Sequence, residues 1–366
     1  MHRPKRGKPD FIIFFAAVML LVIGIVMVFS ASSVVAYMDK GDTFFYLKRQ
    51  FLWASIGVLA MIMAMNFEYY HLHRFADLIF LLALSLLVLV LFAGISSHGS
   101  SRWLGVGPLS FQPSEAIKIA IVIFMAKSLS GNQDKIHSFF RGVIPHIAVL
   151  MLACGLIVGQ PDLGTAVAVA GTVYLMFAAS GVKFSHLAML AMAGLGLIAT
   201  AIMIEPYRFK RFLAFLDPWA DPMETGFQTI QSLLALGSGG LFGMGLGQSR
   251  QKFFYLPERH TDFIYAILGE ELGFIGASLV LLLFVLILWR GFKVALTVKD
   301  KFGSLLAVGI TCMIVLQMII NVAVVTGSMP VTGITLPLVS YGGSSLVFTL
   351  IGIGILLNIS RYAADK

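Results

Sequence analysis

Charge is what this sequence has least of. Of its 366 residues only 12 % are Asp, Glu, Lys or Arg, about half of the ~25 % with which a soluble domain solvates its surface. That shortfall excludes a water-soluble globular protein of this length, so hydrocarbon must be the solvent for much of the surface. Cysteine is almost missing as well. Cys154 and Cys312 both stand inside apolar runs, which rules out a disulfide framework or a thiolate metal site and leaves two small buried hydrophobes. The histidines form no zinc spacing: His71 and His73 are two apart and point to different sides of a helix. No G-x-S-x-G, H-E-x-x-H or Walker signature occurs.

Apolar residues fill the space that charge leaves, at 58 % of the chain and a mean hydropathy of +0.92. A transmembrane helix needs about 20 of them in a row. The pattern predicts an all-α polytopic membrane protein, a single integral membrane domain over 1–366. Its ten helices fall near 11–33, 51–67, 75–95, 114–130, 142–159, 163–181, 185–204, 263–289, 303–326 and 344–360. The first is too long for a cleavable signal and lacks an A-x-A site, so it reads as a retained anchor. The fourth is the least apolar, carrying Glu115 and Lys118.

Orientation follows from short-loop lysines and arginines. With the N-terminus inside, Arg3, Lys5, Arg6 and Lys8 are joined there by Arg74, Lys127, Lys135, Arg141, Lys183, Arg290, Lys293, Lys299, Lys301, Arg361 and Lys366. The short outer loops hold only Lys40, Lys48, Arg49 and Arg102. Both termini are therefore expected in the cytoplasm. The formal net charge of +8 suits contact with anionic headgroups or an anionic substrate.

One outer loop is long. Residues 205–262 contain Arg208, Lys210, Arg211, Arg250, Lys252 and Arg259, either a solvated loop against headgroups or a cationic funnel for an anionic substrate. Within it, 227–236 reads as a short amphipathic helix at the interface. The glycine run 237–247 lacks a G-K-[ST] ending, so its glycines either let backbone amides approach a ligand or permit sharp turns. The last outer loop, 327–344, is apolar yet broken by Pro330 and Pro337. Such backbone is tolerated at membrane depth only inside protein or along a cavity. Residues Ser340 to Ser345 would open the last helix, whose free amides favour an anion.

Charged groups inside spans cost at least about 2.5–3.5 kcal/mol and need a partner or a task. Glu115 and Lys118 share a helix face at a spacing of three, either as an ion pair or with Lys118 held for a further carboxylate. Asp262 is the candidate carboxylate. It is either a plain helix cap or, beside Glu258, Arg259, His260 and Thr261, part of an ionisable site at the membrane rim. Glu270 and Glu271 lie in Gly269-Glu-Glu-Leu-Gly273, whose glycines suit close helix packing, while Gln317 and Asn321, four apart, suggest a polar seam between helices.

Several stretches together resemble a known family. They are Arg102-Trp-Leu-Gly-Val-Gly-Pro-Leu-Ser-Phe-Gln-Pro-Ser-Glu115 with Lys118, Gln160-Pro-Asp-Leu-Gly-Thr165, Tyr207-Arg-Phe-Lys-Arg211 and Asp217-Pro-Trp-Ala-Asp-Pro222. Gly226-Phe-Gln228, Gln231-Ser232 with the glycine run, His260-Thr-Asp-Phe263, Pro330-Val-Thr-Gly-Ile-Thr-Leu-Pro337 and Ser340-Tyr-Gly-Gly-Ser344 follow in order. Over essentially its whole length the chain resembles the SEDS proteins (shape, elongation, division and sporulation), most closely the FtsW/SpoVE branch.

The resemblance implies a peptidoglycan glycosyltransferase that joins lipid II units into glycan strands on the outer face of the bacterial cell membrane. Undecaprenyl pyrophosphate is released, in cell division or spore cortex synthesis. It maps the essential aspartate onto Asp262, with Glu115, Lys118, Arg102, His260 and Thr261 in support. Arg208, Lys210, Arg211, Gln228, Ser232, Lys252, Ser340, Gly342, Gly343 and Ser344 are then expected to bind substrate. A divalent cation, magnesium or manganese, on Asp262 is compatible with it, and no organic cofactor is called for. Implied partners are lipid II, the growing strand, a class B penicillin-binding protein and other division or sporulation membrane proteins, with no nucleic acid. The rival readings are a lipid II flippase or transporter and a non-catalytic scaffold for the penicillin-binding protein.

Overall fold

In hydrocarbon every backbone amide must find its partner within the protein, and the apolar runs accordingly fold as helices. The computed structural model describes residues 7–97, 100–106, 109–253 and 255–363. Arg3, Lys5, Arg6 and Lys366 of the orientation argument, Gly107 and Pro108 of the first motif stretch, and Phe254 of the long loop lie outside the described residues. Ten long helices correspond to the ten expected. They are α1 (Phe11–Lys40), α2 (Phe45–Asn66), α3 (Tyr69–Ala93), α4 (Pro113–Gly131), α5 (Ile144–Val158, entered through a π-helical turn at Phe139–Val143), α6 (Leu163–Ser180) and α7 (Phe184–Ile204). Two short helices, α8 (Pro206–Leu216) and α9 (Phe227–Gly239), occupy the long outer loop. Then come α10 (Ile264–Thr297), α11 (Lys301–Val325) and α12 (Gly343–Ser360).

Among the described residues nine helices are long and apolar enough to cross a membrane, and α4 is not one of them. It has no need to be. Packed among α3, α6, α11 and α12, it buries Glu115, Ile117, Lys118, Ile121 and Met125, so protein rather than lipid surrounds its charges. Several helices also run further than the apolar pattern suggests, α1 to Lys40, α2 from Phe45, α3 from Tyr69 and α10 to Thr297. The cations taken as loop residues, Lys48, Arg49, Arg74, Arg290 and Lys293, lie inside helices within about two turns of an end, where a long aliphatic stem can carry its charge towards water.

Two features were not anticipated. Between α3 and α4 lies a three-stranded antiparallel sheet, β1 (Ile95–Ser97), β2 (Ser100–Val106) and β3 (Leu109–Phe111), with Ile95 opposite Trp103 and Leu104 opposite Phe111. It packs on α3, α4 and α12. The second is a break in α10 at Gly273, whose φ of 67° and ψ of −169° are not helical.

The break explains the glycine run. Met244 and Gly245 donate their amides to the carbonyls of Glu270 and Glu271 at 2.9 and 3.0 Å, and Phe274 and Ile275 donate to Gly240 and Leu241 at 2.9 and 3.2 Å. Broken ladder bonds are thus replaced by a backbone patch. Close approach demands glycine here: a Cβ at Gly239 or Gly243 would strike the carbonyl of Gly269 or Glu271. The carboxylates beside the break are consumed too. Glu270 accepts from Ser249 Oγ and the Arg250 amide, Glu271 from Ser30 Oγ at 2.7 Å and from Lys252 Nζ at 3.3 Å.

Gly243→Val, which adds a clash to a residue at φ 81°, should therefore lower the midpoint of thermal unfolding in detergent by several degrees. Gly237→Ala, where no atom lies within 4 Å of the new Cβ, should leave it unchanged or raise it slightly. Equal behaviour of the two variants would remove the structural role assigned to the glycine run.

Candidate active site

Just before α10 the chain is not yet helical, so its carbonyls need partners from elsewhere. Three in succession find them. The His260 carbonyl accepts from the Tyr341 amide at 2.8 Å, that of Thr261 from Ser340 Oγ at 2.6 Å, and that of Asp262 from Asn321 Nδ2 at 2.7 Å. Ser340 Oγ also accepts from the Leu336 amide at 2.8 Å, and Asn321 also donates to the Ile334 carbonyl at 2.7 Å. The loop 331–341, α11 and the segment bearing Asp262 are thereby one block. Asn321 thus joins two loop carbonyls rather than a neighbouring helix, and the Ser340 hydroxyl holds backbone.

The clamp aims Asp262 into a cavity of about 350 Å³. Its carboxylate accepts no hydrogen bond and makes no ion pair among the described residues, although a Cβ on Gly333 would lie 3.6 Å from its Oδ2. Burial, reinforced by the negative charges of Glu258 and Asp162, pushes its pKa up to about 7, against the opposing pull of Arg211 and Arg102. The group therefore keeps its proton to a higher pH than an ordinary carboxyl does.

Glu115 and Lys118 line the same cavity. They form a 2.8 Å ion pair with both side chains buried, and Lys118 Nζ donates to Gln317 Oε1 at 2.9 Å while Gln317 Nε2 donates to the Thr335 carbonyl at 3.2 Å. The partner of Lys118 is thus Glu115, and its idea as a cation reserved for Asp262 is not met. Arg102 reaches the cavity from β2, with Nε on the Gln160 carbonyl at 3.0 Å, its guanidinium on the Pro161 carbonyl and a 4.0 Å approach to Asp162. Asp162 caps α6, accepting from the Thr165 amide at 3.1 Å and its hydroxyl at 2.9 Å.

The other expected residues divide. Gly342 and Gly343 line the cavity. Ser344 accepts from the Gln112 amide at 3.1 Å, so Ser345 replaces it in the lining. Thr261 lines the cavity and donates to Glu258 at 2.7 Å. His260 lies between Tyr46 and Tyr341, ring centres 4.8 and 5.5 Å away, and burial holds its pKa down to about 4, so it is neutral. Arg211 stacks on Tyr207 at 4.4 Å and donates to the Val331 carbonyl at 3.0 Å, and Arg208 donates to that of Ala201 at 3.2 Å. With the exposed Lys210 they sit on α8, beyond the cavity wall. Gln228 and Ser232, on α9, do not reach the wall either, Ser232 being bound to the Val325 carbonyl at 2.7 Å. Lys252 is paired with Glu271 and is not in the cavity wall. The cavity walls add Arg49, Trp53, Trp103 and Asp162, absent from the expected set. Arg49 was read as a loop cation, and its position four before Trp53 on a helix was the available signal.

A metal ion finds little protein here. Among the described residues no three His, Cys, Asp or Glu side chains converge, and Asp162 spends both oxygens on Thr165. Asp262 alone does not make a cation cage, which would need carboxylates or diphosphate oxygens from elsewhere.

Comparisons with known proteins agree with this architecture. The FtsW/RodA/SpoVE family model, described as cell cycle protein, matches residues 11–365. Stage V sporulation protein E of Bacillus subtilis (strain 168) is 50 % identical over 98 % of this chain and 99 % of its own. A probable peptidoglycan glycosyltransferase FtsW of Geobacter sp. (strain M18) is 44 % identical over 96 % of each. Among solved structures, a chain from a study of how a peptidoglycan synthase complex coordinates polymerization and crosslinking superposes with a TM-score of 0.81 at 33 % identity, covering 96 % of this chain and 98 % of that one. The crystal structure of the Thermus thermophilus rod shape determining protein RodA gives 0.73 at 30 % identity, covering 98 % of both.

The ion pair on α4 lends itself to a double-mutant cycle. Removing one partner of a buried pair strands the other and costs about 3–5 kcal/mol, whereas removing both is far cheaper. Lys118→Met should thus destabilise the folded protein more than Glu115→Gln/Lys118→Met does, by denaturant unfolding in detergent. Additive losses would mean that the two charges are not coupled.

Proposed function

The chain belongs to the FtsW/RodA/SpoVE family, and from that membership we infer that it is a peptidoglycan glycosyltransferase that polymerises lipid II in division or sporulation. Asp262 is its general base. The observation that carries this role is a lone carboxylate, clamped through three consecutive backbone carbonyls and free of ion-pair partners, facing a cavity edged by cations.

The acceptor's N-acetylglucosamine hydroxyl attacks the anomeric carbon of a lipid-linked N-acetylmuramic acid. A new oxygen–carbon bond forms as the bond from that carbon to the diphosphate breaks. The hydroxyl proton passes to Asp262, a transfer worth typically 10²–10⁴-fold, and the diphosphate leaves on its undecaprenyl chain. One displacement inverts the α-linked donor to a β-linked product. Arg49 and Arg102, in the cavity wall, are placed to meet diphosphate charge, Arg in particular because its planar fork suits phosphate oxygens. Arg211, outside the wall, contributes through its field at Asp262.

The multi-pass chain has its termini in the cytoplasm on the strength of the lysine and arginine distribution, which puts the cavity on the extracytoplasmic side. Its partner is a class B penicillin-binding protein, in keeping with the synthase complex to which one structural relative belongs. A flippase needs a route through the inner half, and packing opposes one. Ile117, Ile121 and Met125 below Glu115 are fully buried. The inner ends are stitched as well, with Asn358 bound to the Met65 carbonyl at 2.7 Å and the Tyr69 amide at 3.0 Å, and Arg290 paired with Asp10.

In purified, folded protein Asp262→Asn should lower lipid II polymerisation by about 10²–10⁴-fold. Polymerisation at the wild-type rate would exclude Asp262 as the base, and a wild type that forms no strands beside its partner would return the scaffold and transport readings. The pH profile gives a separate check. A base must be deprotonated, so wild-type kcat/KM should fall as pH drops through about 7 and level off above it. Glu258, Asp162, Arg211 and Arg102 are the charges that set the midpoint, and Arg211→Gln should move it upward. A flat profile from about pH 6 to about pH 8 would contradict the assignment.

A further inference from the structure

The chain has four tryptophans, and they occupy two kinds of place. Trp219 and Trp289 are 65 % and 55 % exposed. Trp289 lies beside Arg290 and Lys293, 5.6 and 5.7 Å from its ring. Exposed indoles near cations suit a membrane–water boundary. Trp53 and Trp103 are only partly exposed, and both line the cavity that holds Asp262.

These two indoles are held in place with their polar ends unused. A Cβ on Gly343 would come within 2.5 Å of Trp53 Nε1 and Cε2, so the ring fills the side-chain space of the residue that begins α12. Glycine at that position is explained by the indole. Trp103 stands in the middle of β2, opposite Ile95. Neither indole N–H donates a hydrogen bond to any described residue, although a tryptophan withdrawn from water usually finds a partner for it. Two indoles without a hydrogen-bond partner among the described residues thus line a space whose other residues are largely hydroxyl, amide and ionic.

Each tryptophan also has an arginine at hand. Arg49 is four residues before Trp53 on α2, hence on the same helix face; Arg102 and Trp103 alternate across β2, yet both, like Arg49, line the cavity. A ligand matching such a pair offers an apolar ring face, hydrogen-bond acceptors on its rim and an anionic group close by. An N-acetylhexosamine attached to a diphosphate has all three, in its patch of axial C–H bonds, its acetamido and hydroxyl oxygens, and its phosphates. The polymerisation joins two lipid-linked sugar chains, and the cavity wall carries two tryptophans and two arginines.

We propose that Trp53 and Trp103 are the sugar platforms of this cavity, each seating an N-acetylhexosamine ring of one of the two substrates while Arg49 and Arg102 face the adjoining diphosphates. The proposal rests on the reading that the cavity takes lipid II, and it adds the residues that distinguish the sugar from the lipid.

The small number of tryptophans makes a direct test available in the full-length protein. Trp219→Phe/Trp289→Phe leaves Trp53 and Trp103 as the only indole fluorophores. Lipid II titrated into this protein in detergent should change their emission saturably, and undecaprenyl pyrophosphate, which lacks the sugars, should not. In the wild-type background Trp53→Leu and Trp103→Leu should each raise KM for lipid II about tenfold, and Trp→Phe, which keeps the ring face and loses the N–H, should fall between. An equal response to the sugar-free lipid would overturn the proposal, as would no response from a protein that still polymerises. Polymerisation absent from the wild type would count against the transferase reading alone, because a sugar-dependent emission change would stand without it.

Discussion

An unpartnered amide or carbonyl facing hydrocarbon costs several kcal/mol, and this constraint governs where the chain is allowed to depart from helix. It does so in three places packed against the helices, and each departure is closed by backbone or side-chain hydrogen bonds. The break at Gly273 is patched by residues 240–245. The loop 331–341 is tied by Asn321, Gln317 and Ser340. The segment 260–262 is tied to that loop and to α11. The site is built where these repairs meet, so the stiffness of Asp262 comes from the same bonds that make irregular backbone tolerable.

Charge obeys a parallel logic. Ionised groups away from water are paired or capped: Glu115 with Lys118, Glu271 with Lys252, Asp10 with Arg290, Asp162 against Thr165. Asp262 is the contrast, a carboxylate with no such partner among the described residues, and its raised pKa is the physical mark of that isolation. Perturbed carboxylates also occur in structural networks. What separates this one is that its backbone is immobilised while its side chain opens on a cavity.

Much of this was legible in the order of residues. Apolar run length located ten helices because hydrocarbon thickness imposes it, and the density of ionisable residues around 258–262 pointed to a stretch that lines the cavity. Run length failed at the ends of α1, α2, α3 and α10, where cations on helical turns imitate loops. The β sheet was missed because strands of three to seven residues leave too short a pattern beside long helices. The glycine run and Lys252 were open to a ligand-binding reading until the Gly273 break showed what consumes them. Ser232 and Ser340 have hydroxyls that answer to backbone carbonyls, contacts between distant elements that no local motif encodes. Trp53 and Trp103 carried no signal of their own, since a tryptophan near a helix end or in a short strand is ordinary until a shared cavity relates the two.

The break in α10 also divides the mechanical duties of that helix. Its upper limb, 264–272, continues from Asp262 and is buried almost throughout, whereas the lower limb presents Phe274, Ile275, Leu279, Leu282, Val285 and Leu296 outward. Bilayers differ in thickness, and a long helix answers by tilting. An unbroken rod would carry such a tilt into the position of its own end. Here the glycine patch grips the chain on both sides of the joint, the clamp holds the upper limb as well, and the lower limb turns its apolar side outward. The joint acts as a vibration mount: the membrane can stretch or thin around the protein while the geometry at Asp262 keeps its register.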